Sequence, residues 1–345
     1  MPTPEETEAQ VQALSDEDDE ARAGAYEFFY SQLLQPGSGP AAAHAAPLLI
    51  GLAAAAVVPQ RAHLLELLDA LSAVAAPAGE LAARLAAGAG IFAALLKDGD
   101  ADVRLQATQL VARWPSSKDA AVASLRALAG KDEDERVRAN ALLSMTSLGA
   151  PDRALAEASF RAGEDRALER LAGAAALVSE LKGEAPAEVF EHLLAAATGD
   201  PEALEQAEVL PALGDPWGTA AAALGRAPAE MKERALAALI ETYDGRPWAT
   251  DEQSAGLLQA ALGGKAAPEA LAALSPAQKD AVRAIAAKLA ANPGTGVAMS
   301  IQAVMREFGL PTGAAELAAL LDGSEAEAAS AGGAPAGRKP WWKLW

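Results

Sequence analysis

The stretch LLKDGDADVRLQATQLVARW, residues 95–114, returns as LAGKDEDERVRANALLSMTSLG at residues 128–149. Five pairs match at an offset of 34 residues: Asp98 with Asp132, Asp100 with Asp134, Val103 with Val137, Arg104 with Arg138, and Ala107 with Ala141. A fixed period of this length is typical of proteins built from stacked helical hairpins. One hairpin cannot bury its own apolar face, so neighbouring hairpins must share a core.

Two further copies extend the pattern. Residues 160–181 carry Asp165 and Arg170, and the copy from Ala13 carries Asp18 and Arg22. We interpret each copy as an apolar helix, an acidic turn, and a second helix that begins at the aspartate. The aspartate can cap free amides, and an arginine one turn later can reach an aspartate of the next repeat. The predicted structural ladder consists of Asp98, Asp100, Arg104, Asp132, Asp134, Arg138, Asp165 and Arg170.

This pattern resembles HEAT repeats, in which a first helix ending in Leu-Leu-x-Asp leads into Val-Arg and an alanine-rich second helix. The resemblance is best over residues 89–181 and extends from residue 11, where the chain is also similar to uncharacterised bacterial HEAT-like proteins. It implies an all-α fold, a right-handed α-solenoid of helical hairpin repeats. Alanine, leucine, glutamate and arginine dominate the composition, which independently favours helices.

Four regions follow from changes in repeat regularity and composition. Residues 1–181 hold the HEAT-like repeats, and residues 182–322 continue with more divergent hairpins. Residues 323–338, rich in glycine, alanine and serine, form a predicted flexible linker to an aromatic, basic peptide at residues 339–345. In the second region, related loops around Trp217 and Trp248 predict tryptophans that pack between helices.

The net charge of the chain indicates which partners to expect, and its N-terminal sequence indicates the compartment. The formal net charge of -19 would repel a phosphate backbone, so we expect no nucleic-acid partner. The start, MPTPEETEAQ, lacks the basic and apolar regions of a secretory signal, which predicts a cytoplasmic protein. The 18-residue apolar run at residues 41–58 contains His44, Pro47 and Gly51, and we interpret it as a buried helix.

No motif in the chain predicts catalysis, a cofactor or a metal. Cysteine is absent, and His44, His63 and His192 have no metal-binding spacing. The acidic run from Asp98 lacks the glycine and glutamate that a calcium loop requires. The sequence GGKA at residues 263–266 lacks the upstream glycine and the hydroxyl residue of a phosphate loop.

The terminal peptide KPWWKLW is the strongest candidate for partner binding. It combines Trp341, Trp342 and Trp345 with Lys339 and Lys343 on an otherwise acidic chain. Tryptophan is enriched at binding hot spots. Three destinations remain open: the chain's own helices, a partner protein or second copy of this chain, and a membrane surface, which so short a peptide would bind weakly.

These features predict a non-catalytic protein-binding or scaffold protein whose partner is basic. Four aromatic residues lie close together near the N-terminus: Tyr26, Phe28, Phe29 and Tyr30. We expect at least half of them to pack in the core. The alternatives are an immunity-type inhibitor of a toxin and a HEAT-like enzyme. HEAT-like families include DNA glycosylases and bilin lyases, but a glycosylase needs a basic groove.

Overall fold

The computed structural model describes residues 2–321, apart from residues 36, 77, 200–206, 208, 246–250, 265–270 and 272. Every regular element within these ranges is helical, so the predicted all-α fold is confirmed. The chain divides into two compact units, residues 1–150 (unit 1) and residues 151–345 (unit 2). The predicted division at residue 181 follows repeat regularity instead, and it stays a prediction.

Unit 1 consists of helical hairpins whose second helices lie side by side. The described helices are α1 (Pro4–Ala13), α2 (Asp19–Phe28), α3 (Gly39–Ala54), α4 (Arg61–Val74), α5 (Glu80–Ala87), α6 (Ala89–Leu95), α7 (Ala101–Arg113), α8 (Lys118–Lys131) and α9 (Glu135–Ser147). Helix α7 packs against its hairpin partner α6 and against both α4 and α9. Helix α7 therefore contributes to the core on both sides of its own repeat.

The acidic turns start the second helices as the sequence predicts. Asp18, Asp100 and Asp134 are the N-caps of α2, α7 and α9, and each side chain accepts a backbone N–H from its helix. Four residues separate each of these caps from an arginine of the repeat pattern. Capping satisfies amides that have no partner inside the helix, so these aspartates define where the helices begin.

The apolar run at residues 41–58 lies largely in helix α3, and its interpretation as a buried helix is confirmed. The α3 side chains buried in the core are Ala42, Ala43, Ala45, Ala46, Leu49, Ile50 and Ala53. No helix in the described ranges has both the length and the apolar character needed to cross a bilayer.

Unit 2 is also built from paired helices. Its described helices are α10 (Arg153–Phe160), α11 (Ala167–Leu181), α12 (Ala187–Thr198), α13 (Pro216–Leu224), α14 (Ala229–Gly245), α15 (Asp251–Leu262), α16 (Pro276–Ala291), α17 (Gly296–Glu307) and α18 (Ala314–Leu321). Helices α10 and α11 pack together, as do α13 and α15. Ser275 caps α16 through a reciprocal pair of hydrogen bonds with Gln278.

Helices α13 and α15 cross at glycines, beside a buried aromatic pair. A Cβ added at Gly256 would lie 2.7 Å from the Gly218 Cα, which is closer than van der Waals contact allows. Trp217 is 1 % exposed, and its ring centroid lies 6.0 Å from that of Tyr243. The tryptophan packs between helices, as the sequence predicts, whereas Trp248 lies outside the described residues.

We predict that Gly256→Ala destabilises unit 2 because the added methyl group forces the helices apart. Overpacking of this kind costs about 1–3 kcal/mol of unfolding free energy. Urea denaturation followed by circular dichroism measures the change. Gly51→Ala is the matched control, since a Cβ added at Gly51 meets no atom within 4 Å. It should raise stability slightly through helix propensity, and an equal loss in both variants would contradict the prediction.

Candidate binding surface

Bidentate arginine–aspartate pairs connect successive repeats of unit 1. Arg61 at the start of α4 donates to both carboxylate oxygens of Asp98, at 2.7 and 2.9 Å. Arg104 on α7 makes the same contact with Asp132, at 2.9 and 2.8 Å. The four side chains are between 5 % and 15 % exposed. Each pair therefore fixes the turn of one hairpin to the second helix of the preceding one.

The arginines of the repeat pattern also close the turns of their own hairpins. Each donates from Nη1 to the carbonyl oxygen six residues earlier: Arg22 to Asp16, Arg104 to Asp98, and Arg138 to Asp132. A planar guanidinium has five N–H donors, so Arg104 can hold its own turn and the aspartate of the next repeat together.

These contacts stabilise the ionised aspartates. The hydrogen bond from Arg61 holds the pKa of Asp98 below its usual value of 3.8. Burial raises the pKa of Asp132, but the hydrogen bonds from Arg104 and from the Asp134 amide outweigh it, and the pKa again lies below 3.8. Both aspartates therefore contribute stability that is present above pH 3.8 and is lost as the pH falls through the folded-state pKa.

One predicted member of the ladder does not cap its helix. Helix α11 begins after Arg166, which makes no side-chain cap, and Asp165 is exposed. Asp18, Asp100 and Asp134 precede the arginines of their repeats by four residues, but Asp165 precedes Arg170 by five, so it falls one residue outside the cap position. Arg61 lies outside the repeat pattern of the sequence, because its 37-residue separation from Asp98 differs from the 28 residues between Arg104 and Asp132.

A surface pocket of about 480 Å³ lies between α2 and the start of α4. We call it the tyrosine pocket, and it is lined by Asp19, Ala23, Tyr26, Tyr30, Gln60 and His63. Helix α2 continues into a π-helical turn, Phe29–Leu33, that carries Tyr30 and packs against α4. The spacing of the α2 residues places them on one face of the helix.

Three local irregularities meet at this pocket. The π-helical turn forms one of them, and such turns occur frequently at functional sites. Gln60 has φ 51° and ψ 39°, a left-handed conformation that is unfavourable for a residue with a Cβ. The Tyr26 hydroxyl is buried and has no hydrogen-bond partner among the described residues. Strain and unsatisfied polar groups concentrate at binding sites, where a ligand can compensate for them.

The electrostatic environment of the pocket is acidic. The Tyr26 and His63 rings lie 5.5 Å apart, and His63 Nε2 lies 3.5 Å from Glu66 Oε2. Gln106 donates to the other Glu66 oxygen at 3.1 Å. Burial, then the charge of Glu66, raises the pKa of Tyr30; burial, Tyr30 and Glu66 raise that of Tyr26. Both phenols therefore stay protonated at neutral pH.

The N-terminal aromatic residues are divided between core and surface. Phe29 is fully buried, Tyr26 and Phe28 are half-buried, and Tyr30 is 41 % exposed. The π-helical turn changes the helical register between these neighbours. It therefore directs Phe29 into the core while Tyr30 lines the pocket.

The histidines are separate from one another. His44 contacts Glu8 at 3.0 Å, His63 lies in the tyrosine pocket, and His192 contacts the Phe160 ring. In the described part of the chain, no three His, Asp or Glu side chains form a group that could hold a metal ion. The predicted partner-binding residues Trp341, Trp342, Trp345, Lys339 and Lys343 lie outside the described residues.

Comparison with known proteins identifies the repeat class. Residues 89–178 match the family model described as HEAT repeats, so this segment of the chain is similar to HEAT repeats. No curated protein matches the sequence. One solved structure that matches is the crystal structure of an engineered protein, 17% identical, covering 92% of this chain and 91% of that chain with a TM-score of 0.32. A TM-score this low does not establish a shared fold.

We expect Asp132→Ala to destabilise the protein by about 2–3 kcal/mol near pH 7, because it leaves the half-buried Arg104 without its carboxylate. The difference from the wild type should shrink as the pH falls below 3.8, since the wild-type aspartate then becomes protonated. Denaturant titrations across this pH range measure both effects. The control Arg84→Ala removes an exposed pair with Glu80 and should change little. A difference that is independent of pH would contradict the assignment.

Gln60→Gly should stabilise the protein by about 1 kcal/mol, because glycine adopts a left-handed conformation without the Cβ penalty. Gln12→Gly is the control: Gln12 lies in helix α1, where glycine should cost about 1 kcal/mol. Thermal and chemical denaturation measure both. Destabilisation by Gln60→Gly would show that the left-handed turn is not strained.

Proposed function

We propose that this chain is a non-catalytic protein-binding scaffold, and that unit 1 presents its main binding surface. HEAT repeats typically serve as protein-interaction scaffolds, because stacked hairpins form extended binding surfaces. The observation that carries the proposal is the tyrosine pocket, where strained and unsatisfied groups lie on helices braced by arginine–aspartate pairs. Sites built on rigid elements lose little entropy when they bind.

The surface continues from the pocket across α4 to α7. Glu66 on α4 contacts Gln106 on α7, and Asp69 on α4 contacts Arg113 on α7 at 2.7 Å. We define the recognition face as Tyr26, Tyr30, His63, Glu66 and Arg113, with the buried Gln106 holding Glu66 in place from below. Aromatic and charged groups mixed in this way match the composition of protein interfaces rather than that of a core.

The charge of the chain favours a basic partner. A formal net charge of -19 attracts positively charged proteins and speeds their encounter. It opposes nucleic acid for the same reason. A cytoplasmic location is part of this proposal.

The tail is proposed as a second attachment point. Trp341, Trp342 and Trp345, with Lys339 and Lys343, follow the predicted linker at residues 323–338. A tethered second contact raises affinity by increasing the effective concentration of the motif. The tail and the recognition face would then engage one partner together.

Cross-linked affinity capture with the full chain, followed by calorimetry on the captured partner, tests the proposal. The double variant Tyr30→Ser and His63→Ser should weaken binding about tenfold or more, as hot-spot loss does. A variant that ends at Gly337 should weaken it by a smaller factor. Met299→Ser is the control, because Met299 is an exposed apolar residue of unit 2, 63 % exposed.

Three outcomes would count against this reading. If the control weakens binding as much as the double variant, the recognition face is not the binding surface. Unchanged affinity in the variant that ends at Gly337, with a lowered melting temperature, would place the tail on the chain's own helices. If the full chain binds anionic vesicles through the tail, and the variant that ends at Gly337 does not, the membrane alternative is supported.

A further inference from the structure

The walls of the tyrosine pocket offer two kinds of chemistry to one ligand. Tyr26, Tyr30 and His63 supply ring faces, Asp19 adds a carboxylate to the lining, and the carboxylate of Glu66 lies beside His63. Ring faces attract cations through their quadrupole, and carboxylates attract them directly. An acidic pocket with aromatic walls therefore favours a cationic group over an apolar one.

We propose that the tyrosine pocket receives an arginine side chain of the partner, stacked on the tyrosine rings and paired with Glu66. This inference rests on the proposed function and names the chemistry of its anchor. The pocket volume of about 480 Å³ lies in the usual range for ligand sites, about 300–1,000 Å³. It is open at the surface, so a side chain can enter from a docked protein.

The unsatisfied hydroxyl of Tyr26 supports a ligand with N–H donors. It is buried and lacks a partner among the described residues, and an unmade hydrogen bond there costs free energy. A guanidinium N–H can donate to this oxygen once the Tyr26 side chain turns toward the pocket as the ligand enters, while the guanidinium plane stacks on a ring. The ligand would thus satisfy a group that the free protein leaves unpaired.

Glu66 rather than Asp19 supplies most of the negative charge that is available to a cationic ligand. Asp19 is already paired with Arg22, which is buried and also donates to the Asp16 carbonyl. Glu66 is held by Gln106, a neutral amide, and by His63. The Glu66 side chain is 42 % exposed, so an incoming cation can reach its carboxylate.

Arginine fits these walls better than lysine. Its guanidinium is planar, stacks on aromatic faces and is more weakly hydrated than an ammonium, so it costs less to desolvate. It also carries several donors at fixed angles, which can reach a carboxylate and a hydroxyl at the same time. A lysine ammonium would make the ion pair but would not stack.

The test is an NMR titration of the full chain labelled with ¹³C at the histidine Cε1 positions. The probe is the blocked tripeptide Gly-Arg-Gly, and the same peptide with citrulline is its neutral isostere. We expect a saturable shift of the His63 signal with the arginine peptide and none with citrulline. His44 and His192 serve as internal references and should not move. A Gly-Lys-Gly peptide should bind more weakly.

Matched variants separate stacking from general attraction. Tyr30→Leu should weaken binding about threefold, the size of an exposed cation–π contact, while Tyr30→Phe keeps the ring and should bind as the wild type does. Glu66→Gln should weaken binding, and Glu133→Gln, which removes an exposed carboxylate of another turn, should not.

An unmoved His63 signal, an equal shift with citrulline, or an equal loss in Glu133→Gln and Glu66→Gln would overturn the proposal. If the arginine peptide fails in this way while partner capture still depends on Tyr30 and His63, the binding surface stands and its anchor is not arginine. If partner capture is also independent of these residues, the proposed function fails with it.

Discussion

The bidentate arginine–aspartate contact determines how successive repeats of unit 1 are joined. A helical hairpin of about 34 residues cannot enclose an apolar core, so its stability depends on its neighbours. Hydrophobic burial alone would allow neighbouring hairpins to slide or rotate. Arg61 and Arg104 prevent this because each binds a carboxylate in the turn of the next hairpin, Asp98 and Asp132 respectively. The same acidic turn therefore holds both the aspartate that caps the second helix and the aspartate that joins the preceding repeat.

This constraint explains why unit 1 can support an irregular site. The tyrosine pocket includes a π-helical turn, a left-handed Gln60 and a buried hydroxyl without a partner among the described residues. Each feature costs free energy, and an unbraced hairpin would relax it. The arginine–aspartate pair nearest the pocket is Arg61–Asp98, and Arg61 directly follows Gln60 in the chain. Unit 2 depends on a different device, the close backbone approach of α13 and α15 at Gly218 and Gly256.

The regular part of this arrangement could be predicted from the sequence, and the irregular part could not. Asp100 and Asp134 recur at a fixed offset, so their capping role follows from spacing alone. Asp165 is also an aspartate that precedes an arginine, but the spacing between the two is one residue longer, so Asp165 does not reach the cap position. The tyrosine pocket depends on a register change in α2 and on a φ angle at Gln60, and neither has a sequence signature. His63 and Tyr26 consequently appear unrelated until the chain is folded.

A double-mutant cycle on Arg104 and Asp132 tests the central claim most directly. The unfolding free energies of Arg104→Ala, Asp132→Ala and the double variant give the coupling between one repeat and the next. The account predicts a coupling of about 1.5–3 kcal/mol, in the upper part of the range for residues in direct contact. A coupling near zero, as for an exposed ion pair, would contradict the view that this contact holds the repeats together.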